Sequence, residues 1–181
     1  MEEGGRIRLF CALQFPDDAL DELGAWQRAR LPPGSGLRPV PREHLHATLA
    51  FLGGRPAGDV PVVAAALRGA AAAAGVVELH PARYRETRSV GMIVCDDRSG
   101  AGAALADDVG ERLEQAGVYR REPRPWLPHV TVVRFRRQPR LDVGSLPEGN
   151  IRSVRCALYR SSLGPAGARY DVLESVALGG R

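Results

Sequence analysis

The 181-residue chain contains no lysine, and all 25 of its basic residues are arginine. That absence closes several chemical routes. A Walker-type phosphate loop needs a lysine after its glycines. Schiff-base catalysis needs a lysine amine, and so does a lysyl–nucleotide intermediate. Cysteine is scarce as well. Cys11, Cys95 and Cys156 are odd in number, far apart and without CxxC spacing. They argue against a disulfide framework or a structural zinc and read as buried free thiols. No apolar run approaches the roughly 18–20 residues of a membrane span. The charged start, Met1 to Arg8, leads into a short apolar run with no small-residue cleavage site behind it. The expectation is a cytoplasmic protein without a membrane partner. What is present is ordinary for one globular domain: 44% apolar residues and a net charge of +4. A modest positive balance suits an anionic partner.

Period-two alternation predicts strands over Arg6–Phe15, Leu45–Leu52, Glu78–Tyr84, Val90–Cys95, Val130–Phe135, Ile151–Arg160 and Tyr170–Leu178. Helices are expected from Asp17 to about Arg30, from Val60 to Ala74 and from Ala101 to Ala116. Asp17 and Asp59 are their candidate caps, and Gly75 and Gly117 their stops. Leu20, Leu23, Trp26 and Leu31 supply the first helix with its apolar face. Loops are expected at Pro32–Gly36, Tyr119–Pro128 and Gln138–Gly149. The second strand should end at Gly53-Gly54, and a glycine-containing turn should join the last two strands. Helices alternate with strands until a tail of consecutive strands, which points to an α+β protein with mostly antiparallel sheets.

The chain has four histidines and three threonines. Two of each fall in one pattern: His46-Ala47-Thr48 and His129-Val130-Thr131. Each pattern follows a proline-containing loop and enters an apolar strand, as an internal repeat would. On a strand, residues i and i+2 share a face about 6.6–6.8 Å apart, so each histidine shares a face with its threonine. Histidine moves protons near neutral pH, and a threonine hydroxyl can donate to a phosphate oxygen. Two histidines across one phosphorus could act in line, one on an attacking water and the other on the departing oxygen. Each transfer is worth roughly 10²–10⁴-fold. Such chemistry needs no metal or cofactor, and a strained five-membered cyclic phosphate is its natural substrate.

These motifs, with RLFCALQFPDDALDEL (8–23), LRPVPREHLHATLAFLGG (37–54), PWLPHVTVVRFRR (125–137) and LYRSSLGPAGARYDVLESVALG (158–179), resemble the RNA 2′,3′-cyclic phosphodiesterases of the 2H phosphoesterase superfamily, formerly called 2′-5′ RNA ligases. The resemblance covers nearly the whole chain. It implies a single domain of two pseudo-symmetric α/β lobes with antiparallel sheets around a central cleft, one motif from each lobe. It implies His46 and His129 as catalytic residues, with Thr48, Thr131 and Arg134 binding the phosphate. Phe10 would stack near a nucleobase. Arg134 lies five residues after His129, so it needs a bulge or a reach around the strand end to join that face. Arg38-Pro39 stands where the family usually has a bulky residue. The implied partner is an RNA end or nucleotide with a 2′,3′-cyclic phosphate, opened to a 2′-phosphomonoester by a monomeric enzyme, with reversible 2′-5′ ligation as a related activity. Two alternatives are a non-catalytic RNA-end binder and a 2H enzyme acting on another linkage, such as a 2′-5′ oligonucleotide.

Other residues invite weaker readings. His44 shares strand parity with His46, and a site of His44, His46, His129 and His80 can be imagined. No carboxylate or cysteine is spaced to complete it, so no metal is expected. Arg120, Arg121 and Arg124, and Arg136, Arg137 and Arg140, are candidates for an RNA backbone or a solvated loop. Tyr119 and Trp126 are candidates for base stacking or packing.

Overall fold

The computed structural model describes residues 5–34, 36–165 and 167–179. Ser35 of the expected 32–36 loop and Ala166 of the closing turn lie outside them. In chain order the elements are β1 (Arg6–Gln14), α1 (Asp17–Arg30), β2 (Arg38–Pro39), β3 (Ala47–Pro56), α2 (Val60–Ala73), β4 (Val77–Glu86), β5 (Val90–Asp96), α3 (Ala101–Gln115), β6 (His129–Arg134), β7 (Ile151–Ser153), β8 (Arg155–Gly164) and β9 (Gly167–Ala177). They form two antiparallel sheets. The first has the order β3-β1-β8-β9 and the second β2-β6-β5-β4-β7. This is the expected α+β architecture, and each sheet carries one His-x-Thr motif.

Burial explains why these segments are strands. Leu9, Phe10, Cys11, Ala12 and Leu13 of β1 are all buried. An uninterrupted apolar run of that kind belongs to a central strand covered on both faces, and β1 lies between β3 and β8. Leu9, Cys11 and Leu13 join the main core, whereas the buried Phe10 and Ala12 do not. Met92 and Val94 of β5 behave as Phe10 and Ala12 do. These residues floor the opposite face of each sheet, where the cleft lies. Behind the second sheet, α1 places Trp26 with its ring centroid 6.4 Å from that of Tyr84. Behind the first, α2 packs on β8 and β9, and α3 packs on α2, β3 and β4. Gly117 takes φ +73°, and the Val118 N–H reaches back to the Leu113 carbonyl, closing α3 as its sequence predicts.

The structure corrects several boundaries. The expected strand Ile151–Arg160 is two strands in different sheets. β7 pairs with β4, and β8 pairs with β1, with an exposed Val154 at the crossing. The apolar positions change parity there, from Ile151 to Val154, Cys156 and Leu158, and that break in alternation is the local mark of the crossing. β3 continues past Gly53-Gly54 to Pro56, because Gly53 at φ +68° absorbs a register shift against β1 without ending the pairing. Asp17 is the first residue of α1, following Pro16, and makes no side-chain cap bond. Asp59 does not cap α2 either; its carboxylate is held by Arg55 at 2.6 Å.

Gly91 marks a tight point between β5 and its neighbours. A Cβ there would collide with the Tyr84 hydroxyl and the Val133 side chain. Gly91→Ala should therefore destabilise the fold by about 1–3 kcal/mol through overpacking, read as a lower denaturant midpoint at unchanged m-value.

Candidate active site

The two motifs are built alike at the level of single atoms. His46 directs Nδ1 to the carbonyl of His44 at 2.7 Å, and His129 directs Nδ1 to the carbonyl of Leu127 at 2.8 Å. A carbonyl only accepts, so each Nδ1 carries the hydrogen and donates it. In both rings the acceptor lies two residues back. The tautomer is thereby set, and each neutral ring keeps its lone pair on Nε2. At His46 that lone pair accepts the Thr48 hydroxyl at 3.1 Å.

A β-bulge follows each threonine. Ala12 pairs with Thr48 and Cys11 with Ala50, leaving Leu49 as the extra residue. Met92 pairs with Thr131 and Gly91 with Val133, leaving Val132 extra. Each bulge returns the residue five past the histidine to the motif's own face. In the second motif that residue is Arg134; in the first it is Phe51, 49% exposed. The odd offset that sets Arg134 against simple alternation is thus absorbed within β6.

Gln27 of α1 supports the second bulge. Its side chain is buried, and Nε2 donates to the Val132 carbonyl at 2.7 Å and to the Val40 carbonyl at 2.9 Å. The Val40 N–H donates to the same Val132 carbonyl. A buried amide thus ties α1, the chain after β2 and the bulged turn of β6 together.

Trp126 joins the sheets. Its indole N–H donates to the Thr48 carbonyl at 2.8 Å, while the next residue, Leu127, supplies the carbonyl that orients His129. Gly102 of α3 leaves room for the indole ring, which a Cβ there would meet at 2.7 Å. This is a packing role rather than base stacking.

The surroundings of His46 are electrostatically unfavourable to its charged form. Burial pushes its pKa down to about 4, from 6.5. The bond to the His44 carbonyl opposes the shift, and the charges of His129, His44 and Arg134 add to it. His129 of the second motif and Arg134 beyond its bulge thus lie close enough for their charges to act on His46.

Phe10, which the resemblance places near a nucleobase, lies on the cleft face beside His46. It is 3% exposed. Its ring stacks on Tyr159 at 4.8 Å and 8°, meets Tyr170 edge-on at 5.0 Å, and lies 5.0 Å from His46. Burial withdraws it from contact with a base and makes it a support for His46. Tyr159 and Tyr170, which the sequence did not single out, are the half-buried rings beside it. Pairing across β1, β8 and β9 assembles this cluster, and no local spacing announces it. His44 sits in a 3-10 turn with its ring 4.5 Å from Tyr170. His80 lies on β4 with Nε2 3.8 Å from Glu78. Among the described residues, no three His, Cys, Asp or Glu side chains converge as metal ligands would. Arg121 and Arg124 of the loop before β6 are ion-paired with Asp107 and Glu122. All three cysteines are buried and free. No helix among the described residues is long and apolar enough to cross a membrane.

Residues 15–144 match the family model of the 2′-5′ RNA ligase superfamily. The chain belongs to that superfamily. Its fold matches the protein TT0787 of Thermus thermophilus at a TM-score of 0.80 and 29% identity, covering 96% of this chain and 100% of that one. It matches LigT of E. coli at a TM-score of 0.77 and 24% identity, covering 97% and 99%. LigT has also been solved with 3′-AMP, a structure this chain matches at 23% identity over 96% of its length and 99% of LigT, TM-score 0.77. The RNA 2′,3′-cyclic phosphodiesterase of Escherichia coli K12 is 44% identical over 46 residues, which is 25% of this chain and 26% of that protein. That alignment spans about a quarter of the relative's length. The 2H phosphoesterase fold, with two antiparallel sheets, is therefore that of this chain.

Gln27→Met keeps length and volume but removes both donated bonds. It should lower the unfolding free energy by about 1–3 kcal/mol and speed amide exchange at Val40. An unchanged exchange rate would show that the bulge does not depend on this amide.

Proposed function

We propose that the chain hydrolyses 2′,3′-cyclic phosphates at RNA or nucleotide ends to 2′-phosphomonoesters, by general acid/base catalysis from His46 and His129 without a metal ion. The observation that carries this reading is the shared anchorage of the two rings. Each Nδ1–H is committed to a backbone carbonyl, which leaves each Nε2 as the atom able to exchange a proton in the cleft.

One histidine accepts a proton from water as the water oxygen bonds to phosphorus. The P–O3′ bond breaks, and the other histidine, initially protonated, donates to O3′. The products are a 2′-phosphomonoester and a free 3′-hydroxyl. The pair ends with its protonation exchanged, and solvent restores it. Thr48 and Thr131 lie on the motif faces, where their hydroxyls can donate to the non-bridging oxygens. Arg134 supplies the charge that complements the phosphorane-like transition state. A bound phosphate would offset the repulsion among the positive groups around His46. The name of the E. coli relative supports this chemistry, and the 3′-AMP complex of LigT supports a nucleotide ligand.

His46→Gln and His129→Gln should each lower kcat on a 2′,3′-cyclic nucleotide by roughly 10²–10⁴-fold, and EDTA should leave the wild-type rate unchanged. Wild-type rates in both variants would refute the mechanism. The pH dependence follows from the depressed pKa of His46. The acid limb of kcat/KM, which reports the free protein, should fall well below pH 6.5, towards 4. Arg134→Gln removes a repelling positive charge, so it should move that limb upward while burial keeps it below 6.5.

A further inference from the structure

The cleft faces of the two sheets differ in chemistry. On the second sheet His129 pairs with Val94, and Val94 with Arg83. Thr131 pairs with Met92, and Met92 with Arg85. Arg134 pairs with Arg38 of β2. Directly opposed residues of antiparallel strands point to one face, so Arg38, Arg83 and Arg85 share the face of His129, Thr131 and Arg134. Tyr84, between Arg83 and Arg85, points the other way, towards Trp26.

Arg38, Arg83, Arg85 and Arg134 are all exposed. Among the described residues none of their side chains forms an ion pair or a hydrogen bond, whereas eight other arginines each meet a carboxylate. Arg38 and Arg134 are like charges on directly opposed positions, an arrangement that repels unless an anion lies between them. Arg83 and Arg85 lie two strands, about 10 Å, from β6. That is too far for the phosphate between the histidines and suited to a neighbouring one. The buried Met92 and Val94 floor the space between. The first sheet answers with rings: Tyr159 and Tyr170 are half-buried, and Phe51 is exposed with the Arg8 guanidinium 5.4 Å from its centroid.

We infer that Arg38, Arg83 and Arg85 bind backbone phosphates of a single-stranded RNA whose cyclic end lies between His46 and His129, so that the chain prefers oligonucleotides to mononucleotides. Single-stranded nucleic acid is held by a positive groove for its backbone and aromatic faces for its bases, and the two sheets divide those tasks. The inference rests on the proposed function, and the experiment separates the two.

The first readout is kcat/KM on a 2′,3′-cyclic mononucleotide and on a tetranucleotide with the same end. The wild type should favour the tetranucleotide by about tenfold or more at low salt. The triple variant Arg38→Ala, Arg83→Ala, Arg85→Ala should bring that ratio near one, at an unchanged thermal midpoint. The second readout needs no turnover: binding of a 3′-phosphate-ended tetranucleotide and of a 3′-mononucleotide against salt. The slope of log K against log salt should be steeper for the tetranucleotide by about 2, at roughly 0.7 per phosphate contacted, and the two slopes should merge in the triple variant. Equal wild-type slopes, or a length preference that survives the triple substitution, would overturn the inference. Steep binding without turnover would instead support the arginine face and refute the phosphodiesterase reading.

Discussion

Side chains on a strand alternate between faces, so a regular strand cannot present positions i, i+2 and i+5 together. The cleft of this protein depends on breaking that rule twice in the same place. One extra residue after each threonine, Leu49 in one sheet and Val132 in the other, brings the fifth residue back to the histidine's side. Without the second bulge Arg134 would face the core, where an unpaired guanidinium is not tolerated. With it, Val132 and Val133 are both buried and Arg134 is exposed to the cleft. The bulge is held from behind by Gln27, a polar side chain placed in an apolar interface because its two donors meet two carbonyls that would otherwise lack a side-chain partner.

The repeat is faithful in its backbone and divergent in what it displays. Both histidines donate Nδ1–H to the carbonyl two residues back, and both strands bulge at the same offset. At the returned position, however, one sheet shows Phe51 and the other Arg134. The same division extends outward: Tyr159 and Tyr170 neighbour the first motif, and Arg38, Arg83 and Arg85 neighbour the second. A pseudo-symmetric scaffold therefore presents an asymmetric cleft, one wall suited to planar apolar groups and the other to anions. A ligand with an unsymmetrical backbone and base, bound across such a cleft, has only one favourable orientation.

Much of this was legible in the sequence, and the parts that were not share one cause. The duplicated His-x-Thr unit and the helices with their glycine stop at Gly117 are local patterns, and local patterns survive in the linear chain. The crossing at Val154 leaves only a change of apolar parity, from Ile151 to Val154, Cys156 and Leu158, and a bulge within one continuous strand would leave the same mark. The burial of Phe10 was not legible because an aromatic on a central strand reads the same whether it is covered or open; the Tyr159 stack that covers it comes from a distant strand, β8. Gln27 gave no signal, since a glutamine in a helix is ordinary until its two carbonyl partners are known. Arg83 and Arg85 belong to no motif in the linear chain, and only their register with Val94 and Met92 joins them to His129 and Thr131.

The depressed pKa of His46 ties these observations to chemistry. Burial on Phe10, Tyr159 and Tyr170 is its main cause, and the charges of His129 and Arg134 reinforce it. A ring that stays neutral near pH 7 has its Nε2 lone pair available, here shared with the Thr48 hydroxyl. An arriving anion changes both terms. On the proposed function it would offer Thr48 a stronger acceptor than imidazole, which would free Nε2, and its negative charge would offset the repulsion that disfavours a protonated His46. On the proposed function, ligand binding and the readiness of the histidine pair to exchange a proton are therefore coupled through the same few charges.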